Sequence, residues 1–166
     1  MLTSAQNALV KADILADVTL NAFPHNSDGA FSIALGYTTV VVPDFWVWRS
    51  AVPAKEIYET TTADGTVWSW TTYIARSQGE RDGWRDLFSG SGVANPSLAN
   101  MRQAIADIFS GPLGAAQRTH LLTISRRKAT RIEKLLATGV GTTVSPATLG
   151  FEGPVIYQDI LTARES

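Results

Sequence analysis

Residues 117–139 read QRTHLLTISRRKATRIEKLLATG, the longest stretch of the chain with a helical period. Its apolar residues recur at spacings of three and four, which places them on one face of a helix. They are Leu121, Ile124, Ala129, Ile132, Leu135 and Leu136. Gly139 follows the last of them, where a left-handed cap would end the helix. We therefore predict one long amphipathic helix around which the other elements pack.

Lys128 interrupts this apolar face, because about 100° of rotation per residue places it between Ile124 and Leu135. Either the helix bends near Ser125, or Lys128 has a buried acid partner. An unpaired ammonium in a core is costly, so we expect the side chain to be buried and its head paired. The candidate partners are Asp107, Glu152 and Asp159. We assign the buried ion pair to Lys128 and Asp159, since it would fix the C-terminal segment to the body.

Helix boundaries are marked clearly at several places along the chain. Thr3 and Gln6 have the spacing of a capping box, which predicts a helix over Ser4–Ala16. Asn26, Ser27 and Asp28 are cap residues for a second helix that reaches residue 40. Asn95 and Pro96 begin a further helix with an apolar face up to residue 109, and residues 157–164 form a last short one.

The remaining segments are less regular. Residues 43–60 favour two short helical pieces, although the aromatic run 45–48 is also allowed in a strand. Residues 67–88 predict one long or broken helix, and 148–151 a short strand. Flexible loops are expected near 60–65, 89–94 and 139–145. With 166 residues, we predict a mostly α fold: a single-domain helical bundle with a small C-terminal β element.

The composition excludes several classes of protein. Charged residues make up 17% of the chain and the net charge is -1, which gives no general attraction to nucleic acid or membranes. There is no cysteine, so disulfides and thiolate metal sites are excluded. No apolar run approaches the roughly 20 residues that span a bilayer, so we expect no membrane partner. The N-terminus lacks the pattern of a signal peptide.

No catalytic motif is present, and we predict a non-enzymatic protein with no cofactor, no metal and no catalytic residue. His25 and His120 are isolated and fit no ligand spacing, so both are interpreted as surface or boundary residues. The charged cluster at 80–86 has the alternating signs of a solvated helix face rather than a pair of glycosidase carboxylates. The five tryptophans suit either an interface, as anchors, or a core that uses large rings. We expect at least three of them to be core residues.

Basic residues concentrate on the central stretch, where residues 118–134 hold six of the fourteen lysines and arginines. Such a patch binds DNA phosphates without sequence specificity, forms a contact between subunits, or is simply a solvated helix face. The candidate partner or DNA contacts are Arg126, Arg127, Arg131 and Lys134. The alternative function is therefore a small DNA-binding protein that uses a basic helix over residues 118–137.

The chain resembles a family of small proteins from tailed bacteriophages and prophages. The segments that carry the resemblance are 26–31 (NSDGAF), 95–98 (NPSL), 108–111 (IFSG), 127–139 (RKATRIEKLLATG), 151–153 (FEG) and 157–159 (YQD). The resemblance implies a virion structural protein of the neck or tail, such as a head-tail connector, made in the cytoplasm of the bacterial host. It also implies a homo-oligomeric ring whose partners are portal, adaptor or tail proteins. The family carries no active-site residues that could be transferred.

Overall fold

Helices dominate the computed structural model of the protein, which describes residues 1–166. Ten helices hold 52% of the residues, whereas each of the four strands has only two or three. The prediction of a mostly α protein is therefore confirmed. No helix has the length and apolar composition needed to cross a membrane.

The helices and the short strands alternate irregularly along the chain. The helices are α1 (Ser4–Ala16), α2 (Val18–Asn21), α3 (Ser27–Tyr37), α4 (Ala54–Glu59), α5 (Trp70–Ile74), α6 (Gln78–Asp86), α7 (Ala99–Ile108), α8 (Gly111–Ile124), α9 (Arg131–Leu136) and α10 (Tyr157–Glu165). The strands are β1 (Trp46–Trp48), β2 (Val52–Pro53), β3 (Val93–Ala94) and β4 (Arg126–Lys128). Strand β1 pairs with β4, and β2 pairs antiparallel with β3.

The chain folds into two compact units. Unit 1 consists of Met1–Val47 and Lys128–Ser166, and unit 2 is the continuous segment Trp48–Arg127. Within unit 1, the N–H of Ala129 donates to the carbonyl of Phe45 at 2.8 Å. Within unit 2, the N–H of Arg49 donates to the carbonyl of Ser125 at 2.9 Å. In each unit, the two segments at which the chain passes to the other unit therefore lie side by side.

Unit 1 is built on the packing of α1, α3, α9 and α10. The predicted capping box is confirmed: Thr3 Oγ1 accepts from the Gln6 N–H at 3.3 Å, and the Gln6 side chain accepts from the Thr3 N–H at 2.8 Å. The largest fully buried side chains of its core are aliphatic, apart from one tyrosine. They are Val10, Ile14, Ile33, Tyr37, Ile132 and Ile160.

Unit 2 has an aromatic core. Trp68 and Trp84 stack with ring centroids 5.2 Å apart, and Phe109 packs edge-on against both. The indole N–H of Trp84 donates to the Tyr58 hydroxyl at 3.1 Å, so this buried donor is satisfied. Residues 67–88 form a broken helix, α5 and α6, because Ser77 caps the start of the second piece.

The central stretch 117–139 is not one helix, and that prediction is wrong. Helix α8 ends at Ile124, residues 126–128 form strand β4, and α9 begins only after Thr130. A capping box restarts the helix, since Thr130 Oγ1 accepts from the Glu133 N–H and Glu133 accepts from the Thr130 N–H at 3.0 Å. The break keeps Lys128 out of the core, which a continuous helix would not.

The β structure also differs from the prediction. The run Trp46–Trp48 is a strand rather than a helical piece, because large aromatic and β-branched side chains fit a pleated ladder. The second helical piece predicted in this region is confirmed as α4. Near the C-terminus there is no strand at 148–151, only isolated bridges from Ala147 and Thr148. Strand β3 occupies the end of the loop predicted at 89–94.

Candidate interaction surfaces

The basic residues of the central stretch do not share one helix face. Arg126 and Arg127 lie on β4 in unit 2, whereas Arg131 and Lys134 lie on α9 in unit 1. The single basic helix predicted over residues 118–137 is therefore absent. Recognition by a continuous helix in a DNA groove loses its structural basis.

Arg131 is held by two carboxylates of unit 1. Its Nη2 lies 2.9 Å from Asp13 and 2.8 Å from Asp17, and its guanidinium lies 5.3 Å from the ring centroid of Tyr37. The hydrogen bond from Arg131 lowers the pKa of Asp17. Burial and the hydrogen bond to Asp13 raise the pKa of the Tyr37 phenol, which donates to that carboxylate at 2.8 Å. Arg131 is thus committed to the fold, not presented to an external phosphate.

Lys134 is the predicted contact residue that remains open to a partner. Its side chain is exposed, and its ammonium lies 5.7 Å from the ring centroid of Phe45, a weak cation–π contact. No carboxylate of the chain pairs with it. On β4, Arg126 and Arg127 are half-buried, and Nη2 of Arg126 lies 3.4 Å from the Thr123 hydroxyl.

Lys128 does not form a buried ion pair with Asp159, and this prediction is wrong. Its Nζ lies 2.8 Å from Asp44 Oδ2, with about half of each side chain exposed, at 47% and 45%. Asp159 is buried but accepts from two backbone donors, the N–H of Ile156 at 3.1 Å and that of Leu2 at 3.3 Å. The strand conformation at β4 turns Lys128 outward, so no buried acid is needed.

A cavity of about 660 Å³ lies beside α9, and we call it the α9 cavity. Its lining residues are Asp13, Thr39, Val40, Val41, Val42, Arg131, Lys134 and Leu135, all in unit 1. The cavity thus combines charged side chains with an extended valine segment. No pattern in the sequence indicates this cavity.

A second surface is an open apolar groove of about 210 Å³ beside α3 and α10, which we call the α3–α10 groove. Its lining is almost wholly apolar: Phe31, Ala34, Leu35, Thr38, Val155, Ile156 and Tyr157. Phe31 and Leu35 are one turn apart on α3 and expose 62% and 61% of their surface. Large apolar side chains that are exposed together in one groove are typical of interaction sites.

The two histidines occupy opposite environments. His25 is exposed as predicted, but His120 is fully buried in unit 2, so its assignment to the surface or boundary is wrong. His120 Nε2 lies 2.9 Å from the carbonyl of Ile57, which can only accept, so Nε2 carries the proton. Its other nitrogen faces the Thr66 hydroxyl at 3.4 Å. His120 therefore satisfies a buried carbonyl within the core.

The remaining candidate groups belong to the fold or to the surface. In the charged cluster, Glu80 caps α6 through Ser77, and Asp82 pairs with Arg85 on the helix surface, which confirms a solvated helix face. No three histidine, cysteine or acidic side chains lie close enough together to hold a metal ion. Two of the five tryptophans are buried, and Trp70 exposes 54% of its surface.

Comparison with protein-family profiles, curated proteins and solved structures finds no match.

Proposed function

We propose that the protein is a non-enzymatic structural component of the neck or tail of a tailed bacteriophage, where copies assemble as a symmetric ring. The observation that supports assembly most directly is the α3–α10 groove. Phe31, Leu35 and Ile156 are all about half exposed or more in the isolated chain. Covering each of them would contribute about 1–2 kcal/mol before the costs of association.

A ring needs two different complementary surfaces on each copy, because a head-to-tail contact joins one surface to the other. Unit 1 offers such a second surface in the loop at 139–145. Val140 and Val144 of this loop expose 70% and 92% of their surface. We propose that these valines of one copy enter the α3–α10 groove of the next, within a ring in which the helices of unit 1 form a bundle.

The base of this loop is fixed, which suits a contact that must repeat around a ring. The N–H of Trp46 donates to the carbonyl of Gly141 at 2.7 Å. Gly141 has a φ of 73°, and a Cβ at this position would lie 2.1 Å from the Phe45 ring. Only glycine fits there, so the loop is anchored by packing at its base while its valines project.

Mass spectrometry of purified phage particles tests the assignment to the virion, and native mass spectrometry with portal, adaptor or tail proteins tests ring formation. Leu35→Glu places a charge in the groove and should abolish the ring. Leu15→Glu is the matched control, because Leu15 is equally exposed, at 59%, but lies on α1 outside the groove. The proposal would be refuted if the protein is absent from phage particles and forms no discrete oligomer with any portal, adaptor or tail protein. DNA binding that collapses with salt would favour the alternative function.

A further inference from the structure

The α9 cavity has an open backbone edge. The antiparallel bridge between Val40 and Thr130 is flanked by two hydrogen bonds: Arg131 N–H donates to the Thr39 carbonyl at 2.9 Å, and Val41 N–H donates to the Ala129 carbonyl at 3.1 Å. In this pattern the N–H and C=O of Val40 point away from Thr130. Neither group forms a hydrogen bond within the chain.

Pro43 ends this edge, and the valines before it carry no charge that would protect an exposed strand. The residues on it, Val40 and Val42, are apolar and β-branched, and expose 53% and 90% of their surface. Natural proteins block such edges with charges, bulges or a covering element. Val40 instead lines a cavity of about 660 Å³, within the size range of roughly 300–1,000 Å³ that is typical of ligand sites.

The charges in the cavity indicate what kind of segment fits. Arg131 is paired with both Asp13 and Asp17, whereas the ammonium of Lys134 has only the face of Phe45 beside it. Lys134 is therefore the one cation of the cavity lining that no carboxylate pairs. An extended segment with a carboxylate would complement both the backbone edge and Lys134.

The chain itself has no suitable segment to offer from a second copy. Eleven of its fifteen acidic residues lie in helices. The four others are Asp17, Asp44, Asp64 and Glu152, and each already has a partner. We propose that the α9 cavity binds an extended acidic segment of a different polypeptide, which pairs with the backbone of Val40 and places its carboxylate on Lys134.

The test uses synthetic heptapeptides of alternating threonine and valine, with glutamate, glutamine or lysine at the centre, titrated against the ¹⁵N-labelled full chain. The glutamate peptide should shift the Val40 amide signal and bind about fivefold more tightly than the glutamine peptide. Lys134→Gln should remove this preference. Lys55→Gln should retain it, because Lys55 is an exposed lysine of α4 in unit 2 that pairs with Glu59.

Strand addition also predicts a period of two along the peptide, since alternate amides face the protein. N-methylation of the central amide and N-methylation of its neighbour should therefore differ, with one weakening binding about tenfold and the other having little effect. Equal effects of the two, no peptide binding at Val40, or an acidic preference that survives Lys134→Gln would overturn the proposal. Protection of the Val40 amide by self-association of the chain would also overturn the proposal. Ring assembly is not required for this binding, so loss of either result leaves the other standing.

Discussion

Arg131 Nη2 lies 2.8 Å from the carboxylate of Asp17, and this ion pair joins two residues that are 114 positions apart in the chain. The same guanidinium nitrogen also reaches Asp13, whose carboxylate accepts the phenol of Tyr37. One side chain of α9 thereby binds the C-terminal end of α1 and contacts the buried tyrosine ring of α3. The stability of unit 1 should depend on it.

Arg131→Met should lower the free energy of unfolding by about 1–2 kcal/mol, since it removes charge-assisted hydrogen bonds from a side chain that is only 33% exposed. Urea unfolding followed by circular dichroism measures the change. Arg85→Met is the matched control, because Arg85 pairs with Asp82 on the helix surface at 64% exposure. The control should stay within about 0.5 kcal/mol of the wild type. Equal losses in both variants would contradict this role of Arg131.

The ion pair of Arg49 and Glu56 predicts a pH dependence. Arg49 Nη2 lies 2.8 Å from Glu56 Oε2, and hydrogen bonding to Arg49 lowers the pKa of Glu56 below its ordinary value of 4.5. The folded state therefore favours the charged carboxylate, and its contribution to stability is present above pH 4.5 and lost as the pH falls through the lowered pKa. The thermal midpoint should fall less between about pH 5 and about pH 3 in Arg49→Met than in the wild type. Parallel curves for the two proteins would reject this linkage.

His120 should exist as the Nε2–H tautomer, because its Nε2 faces the carbonyl of Ile57 at 2.9 Å. Long-range ¹H–¹⁵N correlation spectra distinguish the two tautomers directly. His120→Ala should cost about 3 kcal/mol, from the cavity that it opens and the carbonyl that it leaves unpaired. His25→Ala, at an exposed position, should have little effect. A proton found on Nδ1 would show that the interaction with Ile57 is not formed.

Two glycines of unit 2 should respond to alanine in opposite directions. A Cβ on Gly114 would lie 1.9 Å from the carbonyl oxygen of Phe109, a backbone atom that cannot move aside freely. Gly114→Ala should therefore destabilise the protein by about 2 kcal/mol or more. A Cβ on Gly83, in α6, would meet only Ile108 Cδ1 at 3.8 Å, an ordinary contact. Gly83→Ala should stabilise the protein by about 0.5–1 kcal/mol, and thermal unfolding that shows the same sign for both would refute this prediction.

Local signals in the sequence predict helices well where capping residues mark their ends. The Thr3 and Gln6 pair places α1 correctly, whereas the helix predicted to begin at Asn95 and Pro96 starts only at Ala99. The same signal is present at Thr130 and Glu133, where the pattern TRIE has the spacing of a capping box. The apolar period continues across the break and masks it, although the position of Lys128 on the apolar face is a sign that the helix does not continue.

Long-range features could not be predicted from the sequence. The partner of Lys128 is Asp44, in a segment that no local pattern connects with it. The valines of the α9 cavity and the apolar residues of the α3–α10 groove are brought to their sites by the packing of distant segments. The burial of His120 is equally hidden, because a single polar residue on a helix carries no signal of burial until its neighbours are known.

Unit 2 is inserted in the sequence of unit 1, and the two segments that connect the units run side by side. Unit 2 is a continuous loop in the path of unit 1, leaving beside Phe45 and returning beside Ala129, whose backbones are hydrogen-bonded. Because Phe45 and Ala129 are neighbours, a short turn could join them in place of unit 2. Chains accept inserted modules where the two ends of the insertion lie close together. Evolution could therefore exchange or delete unit 2 while keeping the frame that carries both the cavity and the groove.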